Sequence, residues 1–507
     1  MFNLAKIVDE RHERLILISL VLIAFIPRLL ALIFMLDSAG DGPFRAMIAY
    51  SWSKYPYLST HGVWLPGFMY LSGIFSFIVN DPLISTRILN LVIGTLTIPV
   101  FYLLIRMVFG NAAALFSASL LAFLPLHIGL SASSLSEVSF ILLVLISLVF
   151  FLKAQEPNRH RVLFLCVSLL VGCFALITRY EAWLLIPLLP IYHYWKTRNL
   201  RTAISIAFIL GIFPIIWMVS NYLHSGECLP IISGATTLAI EAVGAHETGL
   251  FSAIWNIGSI SVSHIGCVLI IMILWGVILE CIQATRKKTT AERVLYVSTL
   301  GIFWIFILFL GMARGNALWQ RYLLFGFVMA LPLAIIPLIH YLTNYRRWLG
   351  IYIIVAIVTV AFIYLLGTKD LIRHPIDYVT YQQPVEIKRL AEWLRKSRYS
   401  NDNILLTKMD WQSGNLPLYF PEMCSVCKYA VTPWAFNFVS YWTVDSLLED
   451  FLKDQRPSLL VTYDKDHIHR TRIENILGGR IQESSLVHTE GEIKVYDIRS
   501  LIRKQNE

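Results

Sequence analysis

The chain is poor in charge. Asp, Glu, Lys and Arg make up 15% of its 507 residues, and hydrophobic residues 57%, where a soluble globular chain holds roughly 25% and 45–50%. What charge there is gathers late: residues 368–507 carry 38 charged residues and residues 1–367 only 37. This deficit excludes an ordinary soluble enzyme and a disordered chain. Cysteine is scarce too: seven are present, four of them in apolar runs, which excludes a disulfide-stapled secreted domain. No internal repeat, direct or inverted, is visible, which counts against the paired halves of a secondary transporter. No Asn-x-Ser/Thr sequon occurs, an absence consistent with a bacterial plasma membrane.

What is present is a series of long apolar runs. A spanning helix needs about 20 mostly apolar residues. Runs of that kind lie near 15–36, 87–107, 112–130, 138–152, 162–178, 181–195, 202–223, 262–284, 294–313, 321–343 and 348–367. A twelfth run, 65–79, decides the topology. If it does not span and the N-terminus is cytoplasmic, the cytoplasmic segments hold 16 Lys and Arg and the short external segments six. Cytoplasmic loops concentrate basic residues, so 65–79 is read as a helix in the outer interface, its start at Pro66-Gly67 and its aromatic content suiting that zone. The expectation is an α-helical polytopic membrane protein with about eleven transmembrane helices and interfacial helices in the first external loop. A small extracytoplasmic α/β domain follows. The membrane domain covers 1–367 and the external domain 368–507, with helical stretches at 384–397 and 443–454 and strand-like runs at 403–407, 458–463 and 493–498. The first run is too long for a signal-peptide core and lacks a small-residue cleavage site, so it is expected to stay as an anchor. The net charge of +9 reflects the cytoplasmic clusters and points to an anionic membrane face, not to nucleic acid.

Polar groups at the membrane boundary are expensive and need a reason. Asp37 and Asp41 follow the first span, and the turn Gly40-Asp41-Gly42-Pro43 projects Asp41 just above the membrane. Glu137 opens a later span on the same side, where a helix N-terminus by itself favours an acid. Arg179 and Glu181 share one external turn, and Arg314 and Arg321 bracket a later external loop. All three arginines run against the basic bias of the inner face. A guanidinium at the mouth of an apolar bundle suits a phosphate; the alternative is a structural ion pair, Arg179 with Glu181 or Asp41. Arg28, inside the first span, needs a partner that the sequence does not name. His61, beside the first loop, could contact a head group. One or two carboxylates and two or three arginines around an outward apolar groove fit an amphiphilic donor: lipid tail among the spans, phosphate on arginine, head group near a carboxylate able to take a proton from an acceptor hydroxyl.

In these residues the chain resembles the polytopic GT-C-type glycosyltransferases that use polyprenyl-phosphate sugars, above all the protein O-mannosyltransferase and lipid A aminoarabinose transferase branches. The strings that carry the likeness are GDGPFRAMIAYSW, WLPGFMYLSG, RILNLVIGTLTIPVFYLLIRMVFG, FLPLHIGLSASSLSEVSF and ALITRYEAWLL, with a late QRYLL. The resemblance implies sugar transfer, usually inverting, from a polyprenyl-phosphate donor to a protein, lipid or glycan acceptor on the extracytoplasmic face. It casts Asp41 as general base, Glu137 as the second acid that shapes the acceptor site, and Arg321 with Arg179 as holders of the donor phosphate. Relatives often carry an acidic pair in the first loop. Here Gly42 follows Asp41, which leaves Asp37 as a substitute base. No ligand set of convincing spacing for a divalent metal appears, so none is expected to be essential. Cys424 and Cys427 are placed for a local disulfide. The competing reading is a transporter or flippase of lipid-linked saccharides, with the same groove and no chemistry; a non-catalytic scaffold would leave the acids and arginines unexplained.

Overall fold

The computed structural model describes residues 10–34, 41–54, 56–81, 84–157, 159–230, 249–286, 289–314, 320–344, 385–399, 404–406, 456–463, 467–476, 479–491 and 493–506. The apolar runs become helices in chain order: α1 (Glu10–Phe34), α2 (Asp41–Lys54), α3 (Gly67–Ser76), α4 (Ser85–Phe109), α5 (Asn111–Ala122), α6 (Pro125–Ser131) and α7 (Glu137–Ala154), then α8 (Arg161–Leu176), α9 (Leu185–Thr197), α10 (Leu200–Ser225), α11 (Leu250–Ile265), α12 (Cys267–Thr285), α13 (Ala291–Arg314) and α14 (Leu324–Asn344). Among the described residues seven stretches are long and apolar enough to cross a membrane: α1, α4, α7, α10, α12, α13, and α14 with the turn before it. The run 348–367 lies outside the described residues.

The helices depart from the expected spans at four places. The run 112–130 is two helices, α5 and α6, bent by 62°. Pro125 opens α6, and its ring removes a backbone donor and breaks the helix before it. The run 262–284 divides at Gly266, whose φ of 78° is open to glycine and strained for other residues, so the span proper begins at Cys267. The runs 162–178 and 181–195 give α8 and α9, of 16 and 13 residues, shorter than the about 20 of a full crossing. The run 65–79, by contrast, follows the expectation that it does not span: it forms α3, ten residues and about 15 Å long, too short to cross.

Two spans form the centre. α7 is 78% buried and the stretch containing α14 83%, against 22% for α1 and 17% for α12. Around them the polar groups of the broken backbone are matched by side chains, as an apolar solvent requires. Arg28 of α1 finds its partners at the α5–α6 break. Its guanidinium donates to the carbonyls of Ala24 at 2.6 Å and Ala122 at 2.9 Å, and to Nδ1 of His127 at 2.8 Å. The carbonyls at the end of α5 have no helical donor, and a cation is favoured there. The irregular stretch after α6 is held by α4: Arg87 Nε donates to Ala132 O at 2.6 Å, Asn90 Nδ2 donates to Ser133 O and Leu135 O at 2.7 Å each, and Asn90 Oδ1 accepts from Ser139 at 3.1 Å. This splint fixes the entry into α7, and so the place of Glu137.

The C-terminal residues build a four-stranded sheet of β1 (Ile404–Leu406), β2 (Leu459–Tyr463), β3 (Leu486–Glu490) and β4 (Ile493–Asp497), in the order β1-β2-β4-β3. β1 runs parallel to β2 and the other pairs are antiparallel. Alternation divides the side chains between two faces. Leu459, Val461, Ile493 and Val495 pack under Leu390, Ala391 and Leu394 of α15 (Val385–Lys396). Leu460 and Tyr496 pack against Ile473 of α16 (His467–Ile476) and Ile502 of α17 (Arg499–Asn506). The expected strands at 403–407, 458–463 and 493–498 and the helix at 384–397 correspond to β1, β2, β4 and α15. β3, α16 and α17 are additional. The stretch 443–454, Cys424 and Cys427 lie outside the described residues.

Candidate active site

The two central spans each contribute one charged residue to the same place. Glu137 is the first residue of α7, and Arg321 lies in the short 3-10 turn Gln320–Leu323 that leads into α14. Between them stands Arg179, in extended backbone between the end of α8 and the 3-10 turn Tyr180–Leu184 that leads into α9. Arg179 Nη1 lies 2.7 Å from Glu137 Oε1, its Nη2 2.6 Å from Glu181 Oε1, and its Nε 3.1 Å from both Glu181 oxygens. Nη1 also donates to Ser136 Oγ at 3.1 Å. Arg321 Nε is 3.7 Å from the same Glu137 oxygen. Both guanidiniums lie near the ring of Tyr322, at 5.6 and 5.4 Å from its centre.

All four charged side chains are buried: Glu137 is 3% exposed, Arg321 2%, and Arg179 and Glu181 9% each. Charges removed from water this far survive only when paired. Burial works against the Arg179 charge, but Glu137 and Glu181 outweigh it and hold its pKa above the ordinary arginine value. Arg179 is therefore a fixed cation.

A cavity of about 460 Å³ opens beside this cluster. Glu137, Arg179, Glu181, Arg321 and Arg45 supply its charged lining, and Phe306, Phe309 and Leu310 of α13 part of its apolar wall. Phe309 is 63% exposed on the outside of the bundle, so this wall continues toward the lipid. The remaining rim is the segment before α3. Gly62 N donates to Asn221 Oδ1 at 2.8 Å, Tyr180 donates to Val63 O at 3.0 Å, and Gly67 N donates to Ile177 O at 2.7 Å. A Cβ on Gly67 would come within 2.5 Å of Thr178 Oγ1 and 2.8 Å of Ile177 O, so only glycine allows this approach. The pinned segment presents Trp64 to the cavity, with the Arg45 guanidinium 4.4 Å above its ring.

Four of the residues proposed from sequence thus come together: Glu137, Arg179, Glu181 and Arg321. The structural ion pair of Arg179 with Glu181 is present, and Glu137 joins it. His61 does not line the cavity; it stacks on His224 with ring centres 3.9 Å apart. Asp41 is the first residue of α2, one turn before Arg45, and its side chain lies outside the described residues, as do Asp37 and the side chain of Arg314. Ala313, next to Arg314, lines the cavity. Sequence reasoning missed Arg45, which carried the same signal as Arg179: a basic residue on the side where few are found. No cluster of three or more His, Cys, Asp or Glu able to hold a metal occurs among the described residues, and both carboxylates in the lining are engaged by Arg179.

Residues 61–223 match the family model described as dolichyl-phosphate-mannose-protein mannosyltransferase. That stretch contains Glu137, Arg179 and Glu181. No curated protein matches the chain in sequence. Among solved structures the fold is similar to that of ArnT from Cupriavidus metallidurans in the apo state, with a TM-score of 0.63 at 15% identity over 96% of this chain and 98% of that one. The same protein bound to undecaprenyl phosphate gives 0.61 at 13% identity, over 94% and 97%. The oligosaccharyltransferase of Archaeoglobus fulgidus with zinc and sulfate gives 0.60 at 12% identity, over 92% of this chain and 69% of that one. At these identities the likeness is one of fold.

Proposed function

We propose that this chain, which resembles the GT-C-type glycosyltransferases in fold along its length and in sequence over residues 61–223, moves a sugar from a polyprenyl-phosphate donor to a hydroxyl acceptor on the extracytoplasmic face. The observation that carries this reading is the buried Glu137–Arg179–Glu181–Arg321 cluster at the head of a cavity with an apolar wall. Among the described lining side chains are three guanidiniums, of Arg45, Arg179 and Arg321, and two carboxylates. A guanidinium offers paired N–H donors that match the oxygens of a phosphodiester. Arg179 is bound to both described carboxylates at 2.6 and 2.7 Å; Arg321 and Arg45, which line the same cavity, are the guanidiniums we assign to the phosphate.

The chemistry is a single displacement with inversion. The acceptor oxygen attacks the anomeric carbon as the bond from that carbon to the phosphate oxygen breaks. The acceptor proton passes to Asp41, and the bonding electrons leave with polyprenyl phosphate, whose growing charge falls on Arg321. Phosphate leaves without needing a proton, so the protein's work is alignment and charge stabilisation. We propose that a divalent metal is not essential: among the described residues guanidiniums already engage both carboxylates of the lining, and a strong chelator should leave transfer unchanged.

The orientation rests on charge. Lys196, Arg293 and Arg106 lie at the ends of α9, α13 and α4 opposite the cavity. Basic residues mark the cytoplasmic side, which supports a cavity facing outward in a multi-pass protein that we assign to the plasma membrane.

The test is transfer from polyprenyl-phosphate sugars by the purified chain, with products read by mass spectrometry. Asp41→Asn should lower the rate by about 100-fold or more. Full activity in both Asp41→Asn and Asp37→Asn would remove the first-loop base. Movement of lipid-linked saccharide across vesicles without transfer would replace the enzyme by a flippase.

A further inference from the structure

Glu137 has an oxygen that the phosphate reading does not use. Oε1 faces Arg179 and Arg321. Oε2 is buried, belongs to a residue in the cavity lining, and has no hydrogen-bond partner among the described residues. An ionised carboxylate oxygen can only accept, and a buried acceptor left bare is costly. The group that completes it must therefore bring an O–H or N–H. A phosphate or carboxylate brings none, and a metal ion would have to share the carboxylate with two guanidiniums.

The position of that oxygen says which group it meets. It belongs to the same carboxylate as the oxygen facing Arg321, so a phosphate seated on Arg321 is its neighbour. The hydrogen-bond donor nearest to the phosphate in a sugar phosphate is the one on the ring carbon beside the phosphate-bearing carbon. Resting on the function proposed above, we propose that Glu137 Oε2 accepts a hydrogen bond from that 2-hydroxyl, or from an ammonium in its place. Glu137 is then a specificity-determining residue, and the site takes sugars that keep a donor at this carbon. Positive charge developing at the anomeric carbon makes the adjacent hydroxyl a better donor, so the bond tightens as the leaving group departs. Binding therefore reads the smaller part of the effect.

The experiment measures binding, which needs no acceptor. The full chain in detergent is titrated with a short-chain polyprenyl phosphate, with the same phosphate carrying mannose, glucose or arabinose, and with the 2-deoxy counterparts. At least one sugar phosphate should bind wild type about 10-fold or more tightly than its 2-deoxy counterpart. Glu137→Gln should close that gap to about 2-fold or less, while binding the bare phosphate at least as well as wild type because a negative charge is gone. A misfolded variant would lose the bare phosphate too, and then the wild-type comparison decides. Equal binding of every parent and 2-deoxy pair overturns the inference, and so does a gap that survives in Glu137→Gln. If wild type does not bind bare polyprenyl phosphate, the proposed function fails, and this inference falls with it.

Discussion

The two ends of the bundle both use ion pairs and use them differently. At the cavity, Arg179, Glu137, Glu181 and Arg321 are each no more than 9% exposed and share one cluster. At the opposite end Lys196 meets Glu292 at 2.6 Å with side chains 28% and 29% exposed, and Arg293, 25% exposed, meets the buried Glu280 at 3.2 Å. Both pairs tie neighbouring helices, α9 to α13 and α13 to α12; the Lys196–Glu292 pair does so at little desolvation cost, and such an exposed pair contributes about 0–1 kcal/mol, whereas the second pair buries one carboxylate under a partly exposed arginine. The cavity cluster is costly to bury and gives no stability that apolar side chains could not supply. Its position at the starts of the two most buried spans is understandable if the charges act on a ligand.

The largest effect should come from breaking the cavity cluster one-sidedly. Arg179→Ala leaves Glu181 buried without its 2.6 Å cation and Glu137 with only the more distant Arg321, and should cost about 3–5 kcal/mol, read as a lower unfolding midpoint in detergent. Arg179→Met combined with Glu137→Gln and Glu181→Gln should recover most of that loss and still transfer no sugar. A single variant as stable as wild type would show that the cluster is not electrostatically coupled.

Arg321→Ala separates binding from stability. Glu137 keeps its 2.7 Å contact with Arg179, so the fold should hold while affinity for polyprenyl phosphate falls about 10–100-fold. Unchanged affinity would take Arg321 out of the phosphate site.

How much of this was legible in the sequence follows the physics of each signal. Spans such as α1, α4, α7 and α10 come from composition alone, because lipid demands an uninterrupted apolar run. The breaks at Phe123–Leu124 and Gly266 do not interrupt hydropathy and so were invisible in it. Glu137, Arg179, Glu181 and Arg321 were found because charge at an apolar boundary is conspicuous, but the way they pair was not readable. Arg179 reaches Glu137 across 42 residues, and Arg28 reaches Ala122 across 94, distances over which only packing decides. The roles of Arg87 and Asn90 were hidden for another reason: their partners are backbone carbonyls, which every residue type carries.

That backbone splint gives the next smaller effect. Asn90→Ala removes both donors to Ser133 O and Leu135 O and the acceptor for Ser139. It should cost about 1–3 kcal/mol and slow transfer by displacing Glu137, although Asn90 is not in the cavity lining. Stability lost with transfer intact would mean that α7 holds Glu137 without help from α4.

The smallest effect belongs to the exposed pair. Lys196→Ala should change stability by no more than about 1 kcal/mol, and by less at high salt, where exposed charges are screened. Transfer should be unaffected, since Lys196 ends α9 on the side away from the cavity. The contrast between the two ends depends on this variant being quiet. A loss comparable to that of Arg179→Ala would mean that burial does not distinguish the clusters, and the cavity charges would no longer need a ligand to account for them.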